Sequence, residues 1–292
     1  MRNALAELAM RLVDPDDREE FRKADGVTAL VDHLVRHLEE QASQNYTWTS
    51  SQVFGTTWGE VEVRDSLQLT LVALCHASID SDIAAEMNDL GALDLLFQVL
   101  QSLPLQLNNY TPSILENLRN LCGSDSMPNA LPPEFVPRMW DIVLKDTQAS
   151  GYQQEVAAEV LANIAAIEAT LAAATPEKLA GALSLFLRAA RDPNFSNLGI
   201  AIADLLCNLC CDSACCLLLI CELDTRRPRN RMRHSGVVYL AELTDQTTDD
   251  ALKQSMEALV HNLSWSDPAG KRCIQKLALS SYMNRFALDP AV

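Results

Sequence analysis

The chain has 292 residues, of which 48% are hydrophobic and only 5% aromatic. That hydrophobic content supports a sizeable core and argues against a disordered chain. The formal charge of -16 means that the protein as a whole repels nucleic acid and anionic lipid. Alanine and leucine dominate while glycine is scarce, which favours an all-helical fold over a sheet. No apolar run approaches the roughly 20 residues of a membrane helix.

Two short motifs recur along the chain. The first is glycine, then alanine or valine, two variable residues and leucine, and it begins at Gly26, Gly91, Gly181 and Gly236. The second is asparagine followed by leucine or isoleucine within an apolar helical pattern, at Asn120, Asn163, Asn208 and Asn262. The two motifs keep step, because the asparagine follows its glycine by 29, 27 and 26 residues in the three pairs that have both. Residues 135–140 hold the place of the glycine motif before Asn163.

In chain order, this spacing predicts a repeating unit of three helices, in which glycine turns the chain between the first and second. The unit of Gly181 is expected to depart from this pattern, because Pro176 predicts a helix start ahead of that glycine. The third helix carries the asparagine near its end. We expect five units over one domain, 1–292, with Ala73 at the asparagine position of the first. Residues 4–8 would end a preceding third helix, and residues 270–280 would begin an incomplete unit, so that both ends are capped. In the second unit, Ile114, Leu115, Leu118 and Leu121 form the predicted buried stripe, with Asn120 beside it.

An insertion at residues 41–62 interrupts the first unit. It is rich in serine and threonine and contains Tyr46, Trp48, Phe54 and Trp58. Aromatic residues on a loop can anchor a partner. Alternatively, they fold back and cover the neighbouring helices.

The two motifs and a period near 45 residues resemble those of the armadillo-repeat family over nearly the whole chain. The resemblance implies an all-α fold, a right-handed α-solenoid of about five three-helix repeats. In that family the third helices line a concave groove, and the asparagine amide bonds the main chain of an extended peptide. The members that import basic nuclear signals also place tryptophan four residues before the asparagine. This chain has no tryptophan at those positions, so import by that mechanism is not expected.

Carboxylates stand four residues before three of the asparagines. They are Glu116, Glu159 and Asp204, and the helical spacing places each on the same face as its asparagine. With Asn120, Asn163, Asn208 and Asn262 they predict a groove for a basic or polar peptide segment or helix. The function expected is a non-catalytic scaffold or adaptor. Two alternatives stay open: the asparagines only bridge neighbouring helices, or the protein regulates or chaperones a small GTPase, as some armadillo-like proteins do.

Five arginines crowd a short segment of an otherwise acidic chain. Pro228 predicts a loop there, and guanidinium groups grip phosphate or carboxylate bidentately. The segment is therefore a candidate anion site for a phosphopeptide, nucleic acid or an acidic partner, or else it neutralises its own acidic scaffold. The arginines are Arg226, Arg227, Arg229, Arg231 and Arg233.

Nine cysteines and no signal peptide predict a reducing compartment, the cytoplasm or the nucleus. Six of the cysteines lie within residues 207–221, among leucines, and are expected to act as small buried hydrophobes rather than zinc ligands. His33 and His37 are expected at the surface. No catalytic motif is present, so we expect no enzymatic activity, cofactor or metal, and a monomer that binds neither membrane nor, as a whole, nucleic acid.

Overall fold

A computed structural model of the protein describes residues 2–43, 58–102, 110–127, 130–144, 149–226 and 235–267. Within these ranges the chain is all-α, with no strand. The first helices are α1 (Arg2–Arg11), α2 (Pro15–Lys23), α3 (Gly26–Ser43), α4 (Trp58–Ala77), α5 (Ser81–Asp89), α6 (Ala92–Ser102) and α7 (Thr111–Cys122). The later ones are α8 (Phe135–Leu144), α9 (Gly151–Asn163), α10 (Glu168–Ala173), α11 (Pro176–Ala189), α12 (Ser196–Leu209), α13 (Ser213–Arg226), α14 (Gly236–Gln246) and α15 (Asp250–Ser266).

Polar caps fix where several helices begin. Asp80 precedes α5, and its carboxylate accepts from the backbone N–H groups of Asp82 and Ile83 at 3.0 and 3.2 Å. Asp249 does the same for α15, accepting from the N–H of Leu252 at 3.0 Å. Such caps satisfy backbone donors that have no partner inside the helix, so these residues set the helix starts.

Contacts divide the chain into two compact units. The first is formed by Met1–Phe135 and Thr147–Val156, the second by Val136–Asp146 and Ala157–Val292. In the first unit, α4 packs against both α1 and α7. In the second unit, α12 packs against both α11 and α15.

The buried stripe predicted in α7 is confirmed. Ile114, Leu115, Leu118 and Leu121 are each fully buried, whereas Asn120 is only half-buried. Helical periodicity therefore located the core face of this helix correctly.

The glycine turn is correct at one position and wrong at others. Gly91 has the left-handed backbone, with φ +76°, between α5 and α6. Before α3 it is Asp25, with φ 59°, that takes this conformation. The helix start predicted at Pro176 is confirmed, and Gly181 therefore lies inside α11. At Gly236 a Cβ atom would lie 2.5 Å from the carbonyl carbon of Leu223, so this glycine allows close packing of α14 on α13.

The predicted insertion is shorter than its expected bounds of 41–62. Helix α3 runs on to Ser43, and α4 begins at Trp58, so helical backbone occupies both ends of that segment. Trp58 therefore belongs to a helix, while Tyr46, Trp48 and Phe54 lie outside the described residues. Residues 4–8 belong to α1, and residues 270–280 lie outside the described ranges.

In the described ranges, no helix is both long enough and apolar enough to cross a membrane.

Candidate partner-binding face

The four asparagines of the second motif lie in the closing turns of four helices. Asn120 is in α7, Asn163 ends α9, Asn208 is in α12 and Asn262 is in α15. Asn163 and Asn208 are exposed, whereas Asn120 and Asn262 are half-buried.

Three of these amides bond the main chain near the end of an earlier helix. Asn208 Nδ2 donates to the carbonyl of Ala162 at 3.0 Å, 46 residues back. Asn262 Nδ2 donates to the carbonyl of Cys207 at 3.1 Å, 55 residues back. Asn120 Nδ2 lies 3.0 Å from Ser78 Oγ and 3.5 Å from the carbonyl of Cys75, 45 residues back. An amide carries two N–H groups and a carbonyl, so a bridge of this kind uses only part of its capacity.

The carboxylate of Glu116 accepts hydrogen bonds from two side chains of the same compact unit. The Cys75 thiol donates to Oε2 at 3.0 Å, and the Tyr152 hydroxyl donates to Oε1. Burial, together with the neighbouring carboxylate, raises the pKa of both Cys75 and Tyr152. Glu116 thus holds Tyr152 at the start of α9, rather than standing as an isolated acid in solvent.

Asp204 lies one turn before Asn208 on α12. Its side chain is exposed, yet neighbouring atoms displace water from the carboxylate and raise its pKa, while a hydrogen bond from Ser255 acts in the opposite direction. Because Ser255 belongs to α15, Asp204 sits where α12 and α15 meet. Glu159 is half-buried in α9, one turn before Asn163.

The sequence motifs did not predict a large exposed residue on α15. Trp265 is 66% exposed, and its Nε1 donates to Nε2 of His261 at 2.9 Å. The two rings meet edge-on, with centroids 5.8 Å apart. Trp265 follows Asn262 by three residues, and that spacing on a helix was the available signal.

A buried polar side chain in α7 was also not predicted from the sequence. Asn117 is fully buried in α7, and its Nδ2 donates to the carbonyls of Leu71 at 2.9 Å and Ser113 at 2.7 Å. Leu71 belongs to α4, so this amide joins the two helices from inside the core. A polar residue within a helical pattern gives no local sign of burial.

The arginine segment is described at one position only. Arg226 ends α13, where its Nε bonds Glu222 Oε1 at 2.7 Å and its Nη2 donates to the carbonyl of Ala180 at 3.2 Å. These contacts hold Arg226 against its own helix and against α11. The other four arginines of the cluster (227, 229, 231 and 233) lie outside the described residues.

The cysteines between 207 and 221 differ in burial. Cys215 and Cys216 are buried, as expected, but Cys211 and Cys221 are exposed, so the expectation of burial is wrong for those two. His37 was expected at the surface and is buried, because its face of α3 turns inward. Among the described residues, no three His, Cys, Asp or Glu side chains are grouped so as to hold a metal ion.

Comparison with known proteins gives structural likeness only. No family model matches the chain. No curated protein matches it. The crystal structure of an engineered protein, a Northeast Structural Genomics Consortium target, is similar with a TM-score of 0.59 and 18% identity, covering 91% of this chain and 90% of that one. A second engineered protein from the same consortium is similar with a TM-score of 0.60 and 18% identity, covering 99% of this chain and 60% of its own. At this identity the likeness concerns the fold alone.

Proposed function

We propose that the protein is a non-catalytic scaffold of about five armadillo-like units, arranged as a right-handed α-solenoid, that binds an extended or helical protein segment. The observation that carries the proposal is one contact made three times. An asparagine late in a helix donates to a carbonyl 45, 46 or 55 residues earlier. Two of the three separations, 45 and 46 residues, match the repeat period near 45, and stacked copies of one structural unit produce such a recurring contact.

The order of the helices supports a division of the chain into repeats of three helices. Helices α2–α4, α5–α7, α10–α12 and α13–α15 form four triplets, each ending in a helix that carries Ala73 or an asparagine of the second motif. Helices α8 and α9 supply the last two members of another triplet. Helix α1, which packs against α4, takes the place of a preceding third helix.

The surface proposed for the partner lies on α12 and α15. Asp204 and Asn208 stand one turn apart on α12, and Asn262 and Trp265 stand one turn apart on α15. A carboxylate attracts cationic side chains, an amide can pair with a partner's main chain, and an exposed indole offers a face to an aliphatic stem or a cation. This combination suits a segment that is basic and extended.

Affinity capture from lysate tests the proposal with matched variants. The test variant carries Asp204→Ala and Trp265→Ala. The control carries Asp245→Ala and Phe195→Ala, one exposed acid and one exposed aromatic residue from the same unit. Wild type and control should retain the same protein, and the test variant should lose it at unchanged helicity. If all three proteins captured the partner equally, the partner would not bind on the α12 and α15 surface.

A further inference from the structure

An open cleft of about 460 Å³ lies in the first unit, between α6 and residues 130–134. Asp94, Gln98 and Gln101 line one wall, all exposed on the same face of α6. Pro132 and Glu134 belong to the opposite wall, and Phe97 contributes at the base. The volume falls within the range of cavities that hold small ligands or a few residues of a peptide.

The walls of the cleft are held in place. Phe97 and Phe135, both buried, pack with ring centroids 5.1 Å apart and tie residues 130–134 to α6. The N–H of Phe135 donates to the carbonyl of Pro132 at 2.9 Å. Pro132 and Pro133 restrict the backbone of this wall further, because each ring fixes its own φ. The cleft is therefore formed before any ligand arrives.

The charged groups that line the cleft are all negative. Asp94 and Glu134 supply two carboxylates, and the described lining contains no lysine, arginine or histidine. Among the described residues, neither carboxylate has a hydrogen bond or an ion pair. The amides of Gln98 and Gln101 lie along the same wall as Asp94, where they can pair with a main chain.

We propose that this cleft binds an arginine or lysine side chain of a partner protein. The cationic head would meet Asp94 and Glu134, and its aliphatic stem would lie on Pro132 and the apolar base, as such stems do on apolar surface. The cleft lies on α6, whereas Asn120 of the same unit lies on α7. This inference does not depend on the proposed function of the α12 and α15 surface.

The test uses a defined pair of probes against the full chain. One is a blocked pentapeptide with a central arginine flanked by leucines, and the other has citrulline at the centre, which keeps the shape and removes the charge. Titrations followed by NMR compare wild type with the double variant Asp94→Asn, Glu134→Gln. A second double variant, Glu7→Gln, Asp245→Asn, removes two exposed carboxylates elsewhere and serves as the matched control.

The expected result is saturable binding of the arginine peptide to wild type and control, weakened at least tenfold in the Asp94, Glu134 variant and for the citrulline peptide. All four substituted residues are exposed, and unchanged amide spectra would show that the fold is kept. Equal binding of both peptides would overturn the proposal, as would unchanged binding to the cleft variant or no saturable binding at millimolar peptide. Loss of arginine-peptide binding on Trp265→Ala instead would place the cation on the other surface and overturn the cleft.

Discussion

The side-chain amide of Asn208 donates to the main-chain carbonyl of Ala162, 3.0 Å away and 46 residues earlier in the chain. This bond joins the end of α12 to the end of α9. A helix end leaves its last carbonyls without helical partners, so an amide from a neighbouring helix can satisfy one of them. The asparagine therefore has a structural role before any partner is considered.

Replacing Asn208 with alanine should lower stability by about 1 kcal/mol, because one partly exposed hydrogen bond is lost. Urea unfolding followed by circular dichroism measures the change. Glutamine at 208 serves as the companion variant, since it keeps the amide on a longer stem and should recover only part of the loss. Unchanged stability in the alanine variant would show that the bond to Ala162 contributes nothing.

Asn117→Ala should be more damaging than Asn208→Ala. Asn117 is fully buried and donates to two carbonyls, so its removal loses two buried hydrogen bonds and leaves a cavity, which should lower stability by about 2–3 kcal/mol. Asn120→Ala, three residues away and half-buried, provides the control and should lose about 1 kcal/mol. An effect at 117 no larger than at 120 would contradict the importance given to the buried bridge.

Two glycines of the first motif, Gly181 and Gly236, should respond differently to replacement by alanine. At Gly236 the new Cβ would lie 2.5 Å from backbone of Leu223, and overpacking of this kind costs about 1–3 kcal/mol. At Gly181 it would lie 3.3 Å from the flexible end of Leu144, so the helix propensity of alanine should offset the tighter contact. Thermal unfolding of both variants measures the difference. Equal melting temperatures would contradict the explanation that Gly236 is needed for close packing.

Asp204→Asn should stabilise the protein at neutral pH. Because neighbouring atoms displace water from the carboxylate and raise the pKa of Asp204 in the folded state, the folded chain holds that proton more tightly than the unfolded chain. The group's favourable contribution is therefore complete below the unfolded pKa of about 3.9 and is lost as pH rises through the folded value. The melting temperature of the asparagine variant should exceed that of wild type at pH 7, and the difference should vanish near pH 3. A constant difference would mean that ionisation is not its cause.

Local patterns predicted local features well, and failed where a distant residue decides. The buried stripe on α7 could be predicted from the sequence, as could the positions of Asn120 and Asn208 near the ends of their helices, since both features follow from spacing on one helix. The partnership of Glu116 with Tyr152 was not, because the two residues are 36 apart and meet only after α7 and α9 pack. The same holds for Gly236, whose contact is with the backbone of Leu223 on the preceding helix.

If a partner segment binds on α12 and α15, changes on that surface should lower its affinity. The dissociation constant of the captured partner would be determined for wild type, Trp265→Ala and Phe195→Ala. An exposed tryptophan that packs against the partner should contribute at least about 1.4 kcal/mol, so Trp265→Ala should weaken binding tenfold or more. Phe195→Ala should bind as wild type does. Equal affinity for all three proteins would contradict the assignment of this surface as the binding face.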